Sequence, residues 1–236
     1  ETKWIEFVSA LKEKYMENPD NYEEFEKLFM QIGNDYMTTG ERIAKSNLKS
    51  KTNSELKAVY LDYLSKNIKY GPLIWVQFII NNLFADKTKE IIANKIGDNK
   101  NLHDFIEIAL KPDKKAATIQ LNEIANEWDS LNEMERERTW EKFKWIPCLD
   151  IHNKPWTKEE FFSHIREFRK VEKKLPISYE ELLKRIDTSD EERQILNIAK
   201  RLAYLKDLKD DLRRQGVFYG QILFEEIARR MGINLD

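Results

Sequence analysis

Glycine and proline are scarce: the 236 residues hold only 7 Gly and 6 Pro, too little turn material for a multi-stranded sheet and a composition that favours long helices. A single cysteine, Cys148, excludes an intramolecular disulfide and predicts a reducing, cytoplasmic setting. Charge of one sign is also missing. Lys and Arg number 40 against 42 Asp and Glu, a formal charge of −2, which gives no broad electrostatic reason to expect nucleic acid or an anionic membrane as partner. No apolar run reaches the roughly 18 residues that a membrane span needs, because Gln77, Asn81 and Asn82 interrupt the longest one, Leu73 to Phe84. No signal peptide is expected ahead of the first helical stripe, and the opening Glu1 in place of Met reads as a fragment or processed chain.

What is present is helical periodicity. Trp4, Phe7, Leu11 and Tyr15 form one stripe, ended by Asn18-Pro19-Asp20; Tyr22, Phe25, Leu28, Ile32 and Tyr36 form the next. Capping boxes, in which a hydroxyl accepts from the third helical amide and a Glu reaches back to the cap amide, are predicted at Thr52/Glu55, Thr157/Glu160, Ser178/Glu181 and Thr188/Glu191. Tyr70-Gly71-Pro72 is expected to end one helix and start another, since Pro suits a first turn. Further helices are expected over Lys87 to Lys95, Leu102 to Leu110 and Lys114 to Trp128. The run Thr188 to Gly232 reads as a long amphipathic helix pair, with Ile195, Ile198, Leu202, Leu205, Leu208 and Leu212 three or four residues apart. Within it Gly216 and Gly220 mark either a close helix approach or a kink. The long irregular segment runs from Trp145 to Trp156 and carries Pro147 and Pro155. The sum is an all-α chain of roughly nine or ten helices. It reads as one helical domain over 1–236, with a place for two subdomains to meet near 145–156.

The familiar catalytic patterns fail on spacing. A di-metal carboxylate bundle wants Glu three residues before His on a helix, but Phe161 precedes His164 and Lys100 precedes His103 at that distance. His103-Asp104 has no earlier histidine to complete a metal-ligand set. Asp210-Asp211 lacks the further Asp of a terpene-cyclase motif, where Arg214 stands, and Asn34-Asp35-Thr38 has Arg42 where the acidic ligand belongs. Cys148, between Pro147 and Leu149, has no base in sequence, and no glycine-rich phosphate loop exists. No catalytic residue and no metal ligand is therefore assigned.

Three segments carry a family likeness. They are Thr52 to Leu64 with Tyr70-Gly71-Pro72-Leu73-Ile74-Trp75, then Leu110-Lys111-Pro112 through Trp140-Glu141-Lys142-Phe143-Lys144-Trp145-Ile146-Pro147, and finally Thr188 to Gly232. Together they resemble the helical middle domain of phosphoenolpyruvate-utilising enzymes, the group of phosphoenolpyruvate synthase, pyruvate phosphate dikinase and rifampicin phosphotransferase. Thr139 stands where the family often has His, and Lys209 where it has Arg. The resemblance implies a spacer or acceptor-binding domain that is not catalytic alone. An ATP-grasp domain and a mobile phosphohistidine domain would be its partners, with ATP and Mg used by the whole enzyme and no cofactor held in this chain. The glycine-flanked catalytic histidine is absent from around His103, His152 and His164.

For an acceptor, the candidate residues are Trp75, Gln77, Phe78 and Asn81 on one apolar helix, where buried amides need partners. Trp145 and Trp156 flank the irregular segment, and Arg213 suits an anion. The other reading of the whole chain is a helical scaffold or protein-interaction module with no small-molecule site.

Overall fold

The computed structural model describes residues 2–97, 101–170 and 175–234. Among them the chain is all-α, with nine α-helices and no strand. The helices are α1 (Thr2–Met16), α2 (Asn21–Ala44), α3 (Asn53–Ile96), α4 (Leu102–Leu110), α5 (Ala117–Glu127), α6 (Glu133–Phe143), α7 (Lys158–His164), α8 (Tyr179–Ile186) and α9 (Asp190–Met231). No helix among the described residues is long and apolar enough to cross a membrane.

The contacts divide the chain into two compact units: Glu1–Leu28, Leu73–Lys115 and Glu172–Asp207 form the first, and Phe29–Pro72, Ala116–Val171 and Leu208–Asp236 the second. The segment 145–156 lies inside the second unit.

The first unit buries Ile92, Phe105, Ile108, Leu182, Leu183, Ile186 and Leu196, drawn from α3, α4, α8 and α9. A capping box at Ser178/Glu181 starts α8. Ile177 before that cap and Leu182 inside the helix take the staple positions that fix the entry angle of the chain, and both belong to this apolar cluster. Asp187 then ends α8 in the left-handed region at φ 46°. Tyr22 of α2 is fully buried, with its ring against Phe84 and the Arg201 guanidinium 5.1 Å above it.

The second unit has two layers of packing. Trp128, Phe143, Trp145, Ile146, Phe161 and Ile165 form one apolar cluster with Ala117, Leu121 and Ala125 of α5. Elsewhere α2, α3 and α9 meet through glycines. A Cβ on Gly220 would fall 2.7 Å from Tyr63, and one on Gly33 would fall 2.7 Å from Leu212. The Tyr36 hydroxyl donates to Tyr63 Oη at 2.9 Å, and the Tyr63 hydroxyl donates to the Gly216 carbonyl at 3.1 Å. Tyr70 stacks on Tyr36 and donates to the Lys209 carbonyl at 2.8 Å. Of the two readings of Gly216 and Gly220, close helix approach is the one observed.

Three sequence expectations are corrected. Tyr70-Gly71-Pro72 does not break the chain: α3 runs 44 residues with Pro72 inside. The carbonyl that the proline ring leaves without a donor belongs to Ile68, on the exposed side of the helix. Buried Tyr63 and Tyr70 before the proline, and Gln77, Ile80 and Phe84 after it, anchor both halves of the helix. Likewise Asp190–Met231 is one 42-residue helix rather than a pair. Its box is formed by Ser189 and Glu192, not Thr188 and Glu191: the Ser189 amide donates to Glu192 at 2.8 Å, while the Thr188 hydroxyl is buried without a partner. One further box, Asn132/Glu135 at the start of α6, escaped the sequence reading because its cap is an amide. Of the first stripe, Trp4 and Phe7 are exposed, whereas Leu11 and Tyr15 of the same helix are buried.

Candidate functional site

The residues expected to bind an acceptor do not converge. Trp75 and Phe78 are 66% and 44% exposed, whereas Gln77 is fully buried and Asn81 nearly so. At about 100° per residue the two pairs lie on neighbouring faces of α3, the amides towards the fold and the aromatics towards solvent. Gln77 Nε2 donates to the Leu202 carbonyl at 3.2 Å, and its Oε1 has no partner. Trp145 is buried and gives its indole N–H to Lys142 at 2.7 Å. Trp156 is half-buried against Phe161 and Phe168, and its carbonyl accepts from the Trp140 indole at 2.8 Å. Both tryptophans serve the apolar core of the second unit. Arg213 is exposed. Its neighbour Arg214 donates to the Ile146 carbonyl, and Gln221 donates to that of Asn153 at 2.7 Å, so α9 holds the irregular segment in place.

His103, Asp104 and Glu107 bring their ligand atoms within 4.8 Å of one another on one side of α4. His103 is exposed, and Asp104 and Glu107 have other interactions in the fold. Cys148 is buried, and that burial pushes its thiol up to about 12 against the lowering influence of Arg214, so it is held as an inert thiol.

A different set of side chains converges within the first unit. Pro112 stops α4, and the preceding Lys111 is already extended, as a residue before proline must be. The turn carries Asp113 towards α9. Leu175 and Ile177 lead into the cap of α8, whose first helical residue is Tyr179. From α9, Asn197 and Lys200, three apart and so on one face, hold that tyrosine. The Tyr179 hydroxyl donates to Asn197 Oδ1 at 2.8 Å, and the Lys200 ammonium lies 3.8 Å above the centre of its ring. Burial, with Glu180 and Asp113 adding to it and Arg193 opposing, pushes the phenol up to about 12, so Tyr179 stays neutral.

These elements enclose a cavity of about 300 Å³. Ile108, Pro112, Leu175, Ile177 and the Tyr179 ring form its apolar wall, and Lys111, Asp113, Ser178 and Lys200 its polar edge. Lys200 is only 8% exposed, and its Nζ donates to Asp113 Oδ1 at 2.6 Å. An ammonium carries three donors; the carboxylate takes one and the aromatic face covers another. A buried cation costs free energy unless it is paired and hydrogen-bonded. The arrangement offers a fixed positive charge at the edge of a small apolar space, which suits binding of a small molecule rather than bond-breaking.

Lys200, Tyr179 and Asp113 escaped the sequence reading. One signal was there: Lys200 falls four residues after the buried Leu196, a cation at a core position. Comparison with protein-family models, curated proteins and solved structures finds no match to the chain.

Proposed function

We propose that this chain is a helical acceptor-binding domain of a phosphoenolpyruvate synthase-like phosphotransferase, not catalytic alone, with the ATP-grasp and phosphohistidine chemistry supplied by other domains. The Lys200 cavity is the observation that carries the binding part, because it joins a buried ammonium to a small apolar space. The phosphotransferase part rests on the segments from Thr52, Leu110 and Thr188 that resemble that family. Phosphoryl transfer depends mainly on positioning and charge stabilisation, so a domain that holds the acceptor contributes without a nucleophile of its own.

The test adds this chain to ATP-grasp and phosphohistidine domains encoded with it. Transfer from ATP and Mg to an acceptor should require this chain, and Lys200→Met should slow it. With ATP and Mg alone, the chain should form no phosphohistidine at His103, His152 or His164; finding one there would overturn the non-catalytic reading. Transfer that proceeds unchanged without the chain would remove the acceptor role.

The second reading, a helical interaction module, is favoured by the exposed Trp75 and Phe78, since large aromatics on a surface mark contact sites. Trp75→Ala would then weaken complex assembly and leave small-molecule binding intact.

A further inference from the structure

We infer that the Lys200 cavity selects a small monocarboxylate with an apolar body, and that Asp113 is its displaceable stand-in. This deepens, and rests on, the reading of the cavity as an acceptor site.

The asymmetry of the Lys200–Asp113 pair carries the inference. The two side chains are 9% and 81% exposed, and Nζ and Oδ1 are 2.6 Å apart. The ammonium is fixed, because its stem belongs to the buried face of α9 and its head lies on the Tyr179 ring. The carboxylate is mostly in water. Swinging outward costs Asp113 little, since an exposed carboxylate contributes weakly to a pair and is fully hydrated once released. A carboxylate entering the cavity takes over the ammonium in a drier setting, where a charge-assisted hydrogen bond is stronger.

Charge and shape set the ligand class. At the polar edge Lys200 is the buried cation, and Asp113 supplies one carboxylate to it. A monoanion replaces the Asp113 carboxylate charge for charge, whereas a phosphate dianion would bring a second negative charge that the Lys200 ammonium does not neutralise. Ile108, Pro112, Leu175 and Ile177 demand an apolar body, and about 300 Å³ limits it to roughly the size of a substituted benzene ring. A neutral hydroxyl would accept from the ammonium only weakly, since hydrogen bonds between two charged groups are the stronger ones.

Benzoate, phenyl phosphate and benzyl alcohol share one body and differ in head-group charge. Each is titrated into the full chain while the amide NMR signals of Ile108, Ile177 and Lys200 are followed. Benzoate should shift these signals, with the other two binding at least about tenfold more weakly. Lys200→Met keeps the stem and removes the charge, and should weaken benzoate by roughly tenfold or more. Asp113→Asn retains the ammonium and removes the competitor, and should tighten benzoate by roughly two- to fivefold. This second variant keeps the test decisive if the first fails to fold.

Equal or tighter binding of phenyl phosphate or benzyl alcohol overturns the inference and leaves a binding cavity in place. Benzoate binding unchanged by Lys200→Met does the same, and Asp113→Asn binding no tighter than the parent overturns the displacement. Silence of all three probes overturns the acceptor-binding reading as well.

Discussion

Replacing Gly216 with alanine tests whether the second unit is held by close backbone approach. In an unobstructed helix this change stabilises by up to about 1 kcal/mol, because glycine has the greater conformational freedom to lose. At Gly216 the added Cβ would lie 2.8 Å from Tyr36 Cδ1 and closer still to Cε1 and Cζ. The ring has no free space to yield into. Tyr36 is fully buried, stacks on Tyr70 with centroids 5.7 Å apart, and donates its hydroxyl to Tyr63 at 2.9 Å. Overpacking of this kind costs about 1–3 kcal/mol, and disturbing a buried hydrogen bond adds about 1 kcal/mol. Set against the propensity gain, Gly216→Ala should destabilise by about 1–3 kcal/mol, measured as a lower urea midpoint by far-ultraviolet circular dichroism. A Gly216→Ala chain as stable as the parent, or more stable, would refute the packing argument.

Asp211 is buried and accepts from the Ala117 amide at 2.7 Å, supplying the cap that Ala116 cannot. Asp211→Ala should therefore cost about 1–3 kcal/mol in thermal unfolding; no loss would show that α5 starts without it. Thr88 is fully buried with an unpartnered hydroxyl, so the nearly isosteric Thr88→Val should leave stability unchanged or raise it by about 1 kcal/mol, and a clear loss would reveal a hidden partner. Hydrogen bonds from Arg229 and then Arg230 hold the Glu226 carboxyl well below its ordinary range, at about 2. A depressed folded-state value means that this stabilisation is present above the unfolded-state value near 4.5 and fades as pH falls towards about 2. Glu226→Gln should flatten that part of the acid-stability profile, and an unaltered profile would contradict the assignment. Cys148, with its thiol pushed up to about 12, should react with a thiol reagent at neutral pH only when denaturant is added, and rapid labelling of the native chain would contradict its burial.

The helical architecture was legible because its causes are local. Period and caps act within a few residues, so the boxes at Thr52, Thr157 and Ser178 and the extent of α4 from Leu102 to Leu110 follow from the sequence. Where distant packing outweighs a local preference, local rules mislead. Pro72 costs about 3 kcal/mol in a helix interior, yet buried anchors on both sides carry α3 through it. The box at Thr188/Glu191 differs from the one formed at Ser189/Glu192 by a single residue, which spacing alone does not resolve.

The candidate site was illegible for a more basic reason. Its polar groups come from Asp113, Tyr179 and Lys200, separated by long stretches of chain, and each is unremarked within its own helix or turn. Helical period tells which face a residue occupies but not which distant face it meets. Nor does it separate Trp75 and Phe78 from Gln77 and Asn81, since Phe78 and Asn81 lie only about 60° apart around α3 and the boundary between exposed and buried falls between them. The one feature of the real site visible in sequence was a lysine at a core position of α9. A cation that is 8% exposed needs a partner wherever it is found, and here that partner, Asp113, is itself exposed and free to exchange with water. The mismatch between a fixed, dry ammonium and a mobile, wet carboxylate is what turns an ion pair into a candidate binding site.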